Sequence, residues 1–262
     1  MARTYLRKII YFGLKYKCSV CGSRVRLFLP SGQRFPVLEK LDVIGGRYND
    51  ESACPICFSN ARTRLVHQYL IKEADLKAPS LRLLHIAPEY GLYLFVRKNR
   101  NIDYVLGDIT PSRYAYSTPI ERMDVTRIGH ESGSFGAIIC NHVLEHVEDD
   151  GSAMAELFRV LEPGGWAILQ VPISKKLNQT LEDPAVTSPA ERERRFGQKD
   201  HVRIYAMDYL DRLASVGFSV EVFDPLVSWG RETIEAFRLD PAEKIFVARS
   251  GVAPQLETPA AE

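Results

Sequence analysis

Four cysteines in two pairs carry the plainest chemistry of this chain: Cys18-Ser-Val-Cys21 and Cys54-Pro-Ile-Cys57. A two-residue gap lets a tight knuckle aim both thiolates at one centre, and two knuckles supply the four sulfurs that a tetrahedral zinc ion takes. With thiolates at all four positions no coordination site stays open, so the metal would stabilise and not react. Two other readings compete. Disulfides need an oxidising compartment, and for redox chemistry a single Cys-x-x-Cys would suffice. Turn residues at Pro30-Ser-Gly32 and at Gly45-Gly46 separate short strands between the pairs. Together these features predict a zinc ribbon with a basic amino-terminal segment over residues 1–58. Cys140, alone in an apolar run, is expected to be a buried structural thiol.

A second cluster is built on imidazoles. Asn141, His142, Glu145 and His146 follow an apolar run, and His201 lies later, in the string that ends in Arg203 and Tyr205. If residues 142–146 begin a helix, His142, Glu145 and His146 stand at i, i+3 and i+4 and share a face. Two imidazoles and a carboxylate so placed suit a divalent ion. His146 alone suits a metal-free general base. In a third reading His142 and Glu145 only position their neighbours and pack the loop. His201 is read as a base or a substrate ligand, Arg203 as an anchor for an anionic group, and Tyr205 as a further substrate contact.

Such residues need a scaffold, and from residue 81 short apolar runs alternate with helical stretches, the pattern of a parallel α/β sheet. Strands are expected at 82–87, 104–107, 122–125, 136–140 and 166–171, with a helix over 150–161 and a turn at Glu162-Pro-Gly-Gly165. The polar stretch 174–200 reads as an inserted lid, followed by a helix over 206–216 and strands at 218–223 and 244–248 that pair antiparallel at the sheet edge. A linking helix over 59–80 starts near Ser59 or Asn60, with Arg62 and Arg64 in its first turn. The sheet unit thus spans 81–249, and 250–262 has too few large apolar residues to pack and is expected to be disordered.

With 45% hydrophobic and 26% charged residues, the 262-residue chain has globular composition. No run of about 18 apolar residues encodes a membrane span, and no small-residue cleavage site follows the basic amino terminus, so a cytoplasmic location is expected. The net charge of +1 hides an asymmetry: residues 1–80 hold 14 Lys and Arg against 6 Asp and Glu, and the remainder 20 against 27. A basic front end suggests nucleic acid, phospholipid headgroups or a phosphorylated substrate, or a merely solvated Arg-rich surface.

The stretch "SFGAIICNHVLEHVEDDGSAMAELFRVLEPGGWAILQVPI", residues 134–173, resembles class I S-adenosylmethionine-dependent methyltransferases that carry "HVLEHV" after strand four and "RVLKPGG" before strand five, with Glu162 here in place of that Lys. "LHIAPE", "DHVRIY" and the cysteine-rich front end make the chain similar to one bacterial subfamily of the type 11 group. The resemblance implies a Rossmann-like, mostly parallel sheet with an antiparallel last strand, and S-adenosylmethionine as cofactor. It also implies a glycine-rich loop after strand one, where this chain has His85 at the acidic strand position, Ala87 and Glu89 at two glycine positions, and only Gly91 retained. Glu89 then supplies the missing carboxylate for the cofactor's ammonium. Asp108 is placed to accept the ribose hydroxyls, Met123 and Asp124 to meet the adenine, and Asn141 to complete the cofactor site.

The segment around Glu145 is also similar to the Glu-x-x-Glu-His element of small-RNA 2′-O-methyltransferases and ubiquinone-pathway O-methyltransferases, which hold a divalent ion there, with His142 in place of the first Glu. The implied reaction is methyl transfer to oxygen or nitrogen, first of a sugar, glycan or other small metabolite. RNA docked by the zinc ribbon is second, since aromatic and basic residues are not regularly interleaved. A non-catalytic binding module with a degenerate cofactor loop is the rival of a different class.

Overall fold

The computed structural model describes residues 2–251, without the side chains of Ala2 and Arg3, and the tail expected over 250–262 lies from residue 252 onward outside the described residues.

Seven strands form one sheet: β1 (Arg82–Ile86), β2 (Asp103–Asp108), β3 (Glu121–Arg122), β4 (Phe135–Asn141), β5 (Leu161–Gln170), β6 (Ser219–Phe223) and β7 (Ile245–Arg249). Their order is β3-β2-β1-β4-β5-β7-β6. The first five of these are mutually parallel, and β7 runs antiparallel between β5 and β6. The last two strands therefore pair as expected, but the final one lies inside and β6 forms the edge. The sheet is Rossmann-like and doubly wound. Its order reverses between β1 and β4, where the carboxyl ends of the strands open a crevice.

Eight α-helices accompany it among the described residues: α1 (Ala2–Ile10), α2 (Pro36–Lys40), α3 (Ala61–Lys72), α4 (Tyr90–Val96), α5 (Asp150–Val160), α6 (Pro189–Phe196), α7 (Tyr209–Ser215) and α8 (Pro225–Ala236). Strand side chains alternate between the two faces. Leu84, Ile86, Ile138 and Cys140 pack on Met154 and Leu157 of α5 and Leu213 of α7. Leu83, Ala137, Ile139 and Ile168 pack on the other side against Leu65, Leu92 and Ile234 of α3, α4 and α8. Cys140 is the buried free thiol expected of it. Asn60 caps α3 by accepting from the Thr63 amide at 2.8 Å, and Asp149 caps α5.

Four elements depart from expectation. The linking helix expected over 59–80 is α3, which stops at Lys72 where a run of turns begins. β3 ends at Arg122, so Met123 and Asp124 form the turn beyond it. β5 begins at Leu161, so Glu162–Gly165 is an irregularity within the ladder and not a break before it. The 174–200 insertion is structured: it holds α6, and its strand Leu181–Glu182 pairs with Arg203–Ile204.

The two cysteine knuckles share one hydrogen-bond pattern. Cys18 N donates to Ser23 O and Gly22 N to Cys18 O, and Cys54 N donates to Ser59 O and Phe58 N to Cys54 O, each at 2.9 Å. Gly22 and Phe58 occupy the same place in the two turns, and both have left-handed backbone, at φ 71° and 62°. All four sulfurs lie within 4.8 Å of one another, with 3.6 Å between Cys18 and Cys57 and 3.8 Å between Cys21 and Cys54. Four sulfurs at about 2.3 Å from one zinc ion would stand roughly 3.8 Å apart. The donor set fits zinc.

Residues around this cluster are stitched into the sheet body. Val43–Ile44 pairs with Ile173–Ser174 just past β5. Arg64 of α3 is fully buried, and its guanidinium donates to the carbonyls of Ser52, Ser59, Phe237 and Arg238 at 2.6 to 2.8 Å. If zinc fills this site, replacing Cys54 by Ser should remove the metal and lower the melting temperature by several degrees. Metal content measured by plasma mass spectrometry checks this, and an unchanged zinc signal would contradict the four-thiolate site.

Candidate active site

The crevice over β1, β2 and β4 is a cavity of about 720 Å³ whose lining includes Ala87, Asp108, Met123, Asp124, His142 and His146. Ala87 stands where a loop glycine is expected, and it keeps a glycine-like backbone at φ 49°, its amide held by Gly107 O at 2.9 Å. The turn geometry thus survives without the glycine. A Cβ on Gly107 would come within 2.7 Å of Met123 Sδ, so the small residue in β2 lets Met123 form the cavity wall. Asp108 is almost wholly buried at the end of β2, accepting from Thr110 N, Arg113 Nη2 and the Tyr114 hydroxyl at 2.7, 2.7 and 2.6 Å. Arg113 and Tyr114 both occupy Oδ2, and Oδ1 accepts only the Thr110 amide. Asp124 uses one oxygen to hold the Thr126 amide and hydroxyl.

Behind the turn lies a polar chain that the sequence does not announce. Glu89 is 2.9 Å from His85 Nε2 and 3.2 Å from Asn141 Nδ2, and the Tyr104 hydroxyl is 2.7 Å from His85 Nδ1. A carboxylate only accepts, so Nε2 donates to Glu89 and Nδ1 accepts from Tyr104. Burial opposes the charge on Glu89, but the hydrogen bond from His85, with Arg62 nearby, outweighs it and holds the carboxyl below its ordinary range. His85 is therefore not placed as a cofactor contact: it is fully buried and serves to hold Glu89. Gly91 is also displaced from its expected role. It lies in the first turn of α4, where a Cβ would meet Val20 and Thr63 at 2.9 and 3.1 Å, so it lets α4 pack on the cysteine-bearing segment.

A second cavity, of about 340 Å³, opens on the other side of the loop after β4, lined by Gly45, Arg62, His142, Glu145, His201 and Glu243 among others. His142 and His146 line both cavities. Residues 142–146 do not begin an α-helix: His142 has φ 52°, and only the 3-10 turn Leu144–His146 follows. Consequently His142, Glu145 and His146 do not form the expected trio. The groups whose ligand atoms gather within 4.8 Å are Glu145, His146 and His201. His142 Nδ1 instead sits 3.1 Å from Glu145.

This second cavity is short of partners. Arg62 Nε, His142 Nε2, Glu145 Oε2 and Glu243 Oε1 are buried without a partner, and Glu145 Oε1 has only the His142 Nδ1 contact. Gly45 supports the arrangement, since a Cβ there would press on Glu243 Oε1 at 3.3 Å and on His142 at 3.5 Å. Burial resists ionisation of Glu145, but His142 and then His146 and His201 hold its pKa at about 2. Burial lowers His201 to about 4, keeping it neutral near pH 7, and raises Glu243 to about 7.

Arg203 and Tyr205 do not serve as expected. Arg203 is buried, donating to the carbonyls of Leu144 and Glu148 at 3.0 and 2.9 Å and to Glu182 at 2.8 Å. The Tyr205 hydroxyl donates to Asp150 at 2.7 Å. Their polar atoms already secure the loop that carries Glu145 and His146, which leaves none for an anionic substrate. Arg62, Glu243, Asp200 and Tyr114 escaped sequence reasoning. Only Arg62 had a signal, its place in the first turn of α3.

Comparison with known proteins agrees in kind. Residues 91–169, from α4 through most of β5, match a family model described as a methyltransferase domain. No curated protein shows significant sequence similarity to the chain. Among solved structures, an S-adenosylmethionine dependent methyltransferase from Mesorhizobium loti is 18% identical with a TM-score of 0.43, over 65% of this chain and 91% of its own. The [4+2]-cyclase SpnF is 14% identical with a TM-score of 0.49, over 85% of this chain and 100% of its own. The CurJ carbon methyltransferase is 17% identical with a TM-score of 0.45, over 72% of this chain and 53% of its own.

Proposed function

We propose that the protein is an S-adenosylmethionine-dependent methyltransferase acting on a hydroxyl or amine of a sugar or similarly polar small metabolite, and that the four cysteines hold a structural zinc in a reducing, cytoplasmic compartment. One observation carries this reading: two cavities of different character meet at His142 and His146. The larger lies at the switch point of the sheet and suits an adenosyl group. The smaller is mostly polar, and its unpaired donors and acceptors match hydroxyls, each of which both donates and accepts.

S-adenosylmethionine, when bound, supplies an electrophilic methyl group. In this reading Glu89 receives its ammonium, Asp108 a ribose hydroxyl, and Met123 and Asp124 the adenine side, with Asn141 holding Glu89 in place. His146 takes the acceptor proton. Its Nδ1 lies 3.3 Å from Asp200 O, and a carbonyl only accepts, so the proton sits on Nδ1 and Nε2 is the basic nitrogen. The Asp200 carboxylate also lies 3.3 Å from Nδ1. His201 and Arg62 orient the acceptor.

A second reading is favoured by the Glu145 carboxylate, whose Oε2 is buried without a partner: a divalent ion held by Glu145, His146 and His201 orients the acceptor oxygen. RNA is less supported, because no Phe, Tyr or Trp lines the smaller cavity for a base to stack on. A binding module without catalysis is less supported too, since bulky side chains have not filled the larger cavity.

Incubating the protein with methyl-labelled cofactor and separate sugar, glycan and RNA fractions tests the assignment: label in the saccharide fractions is expected, and label only in RNA, or in nothing, contradicts it. His146→Asn should cut kcat roughly a hundredfold or more while cofactor affinity holds. If chelation that leaves zinc bound abolishes activity in the wild type, and manganese restores it, the divalent-ion reading replaces the simple base. Glu243 gives a pH signature. Its folded pKa of about 7 exceeds its ordinary 4.5, so the folded state binds more protons between these values and loses stability as pH rises through them. Glu243→Gln should therefore gain melting temperature over the wild type on going from about pH 4.5 to above pH 7. A difference that does not change with pH would contradict the buried, protonated carboxyl.

A further inference from the structure

The amino-terminal helix turns an apolar face to the outside. Tyr5, Leu6, Ile9 and Ile10 of α1 are 70, 56, 62 and 47% exposed, and Phe12 and Leu14 just beyond it are 61 and 73% exposed. At about 100° per residue, positions 5, 6, 9 and 10 fall within an arc of roughly 140°, and Thr4, Arg7 and Lys8 occupy the rest of the circle. Phe58 belongs to the same region, with the Arg7 guanidinium 4.5 Å from its ring. It is 55% exposed and holds the left-handed position that the other knuckle gives to Gly22. A bulky residue kept exposed on a strained backbone has no packing reason to be there.

The charge around this face is of one sign. Residues 1–38 contain eight Lys and Arg and no Asp or Glu. Arg7, Lys8, Lys15, Lys17, Arg24 and Arg26 form no ion pair among the described residues. Lys17 and Arg24 stand directly opposite across a two-strand ladder, both exposed, a juxtaposition that costs stability unless an anion lies over it. A groove of about 270 Å³ between α1 and the first knuckle is lined by Lys8, Phe12 and Arg24.

We propose that this face attaches the protein to an anionic phospholipid surface, with α1 lying in the plane of the interface, its aliphatic side chains among the acyl chains and the surrounding cations on the headgroup phosphates. No helix of the described structure is long and apolar enough to cross a membrane, so the attachment is to one leaflet. Tyr5, Phe12 and Phe58 could stack on bases, but the four aliphatic side chains Leu6, Ile9, Ile10 and Leu14 make up the rest of the exposed apolar surface and suit acyl chains, not bases. A two-fold dimer through the same face would press like charges together, which sets it apart from a self-association surface. The attachment stands whichever acceptor the enzyme uses.

Co-sedimentation of the full chain with phosphatidylcholine vesicles, with and without phosphatidylglycerol, at low and high salt tests it. The protein is expected to pellet with the phosphatidylglycerol vesicles, to be released by salt, and to lose at least about tenfold in partitioning in the Leu6→Ser/Ile9→Ser double variant while still binding the methyl-donor cofactor. Equal pelleting of the variant, or equal binding to uncharged vesicles, would overturn the proposal. So would retention by single-stranded RNA without vesicle binding, or a wild-type dimer that the double variant dissolves and that ignores vesicles.

Discussion

A single carboxylate, kept ionised beside the carboxyl end of β1, is the constraint that ties together the strands whose ends form the crevice. In the methyltransferases that the sequence resembles, the strand itself carries the acid and the next turn is mostly glycine. Here the strand carries His85, and the negative charge stands four residues on, at Glu89, returned to the strand end by the His85 hydrogen bond at 2.9 Å. Tyr104 fixes the imidazole from behind and Asn141 holds the carboxylate from β4. The chain of contacts spans β1, β2 and β4, so a charge moved from strand to turn has a rigid seat. Ala87 completes the substitution by accepting the backbone that glycine would have adopted freely.

The cysteine-bearing segment is part of the same machinery. Its turn at Gly45 closes over His142 and Glu243, and Arg62 from the first turn of α3 reaches the Gly45 carbonyl at 3.3 Å. Arg64, two residues on and on the opposite side of α3, binds carbonyls from both this segment and the end of α8. Four carbonyl acceptors on one buried cation make the relative placement of the two parts a matter of hydrogen-bond geometry and not of surface contact alone. A zinc ion that rigidifies residues 18–57 would therefore act at a distance on the smaller cavity, by holding the Gly45 wall where His142 needs it.

Much of the fold was legible because its elements are periodic and its turns are punctuated. Residues 82–87 and 136–140 read as strands, Ser59 or Asn60 as the start of α3, and the long link before the last strand as an antiparallel return. Side-chain roles were harder. Position along the chain showed that residues 141–146 and 201–205 approach the crevice, but not which polar atoms were already engaged. Arg203 looked available until the loop carbonyls of Leu144 and Glu148 came to it. Gly91 looked like the last cofactor glycine until Val20 filled the space beside it. The helix expected from His142 failed because that residue turns left-handed to leave β4, an event no helical spacing reveals. Glu243 and Asp200 are brought in by tertiary structure alone, from segments whose composition is that of ordinary loops.

The central claim is that the cavity above the sheet grips an adenosyl sulfonium through Glu89 despite its altered loop. Titration calorimetry of the zinc-loaded protein with S-adenosylmethionine, run on the wild type and on Glu89→Gln, addresses it directly. Saturating heat at one equivalent for the wild type, and affinity weaker by about tenfold or more for the variant, is the predicted result. No heat from the wild type, or identical curves for the two proteins, contradicts it.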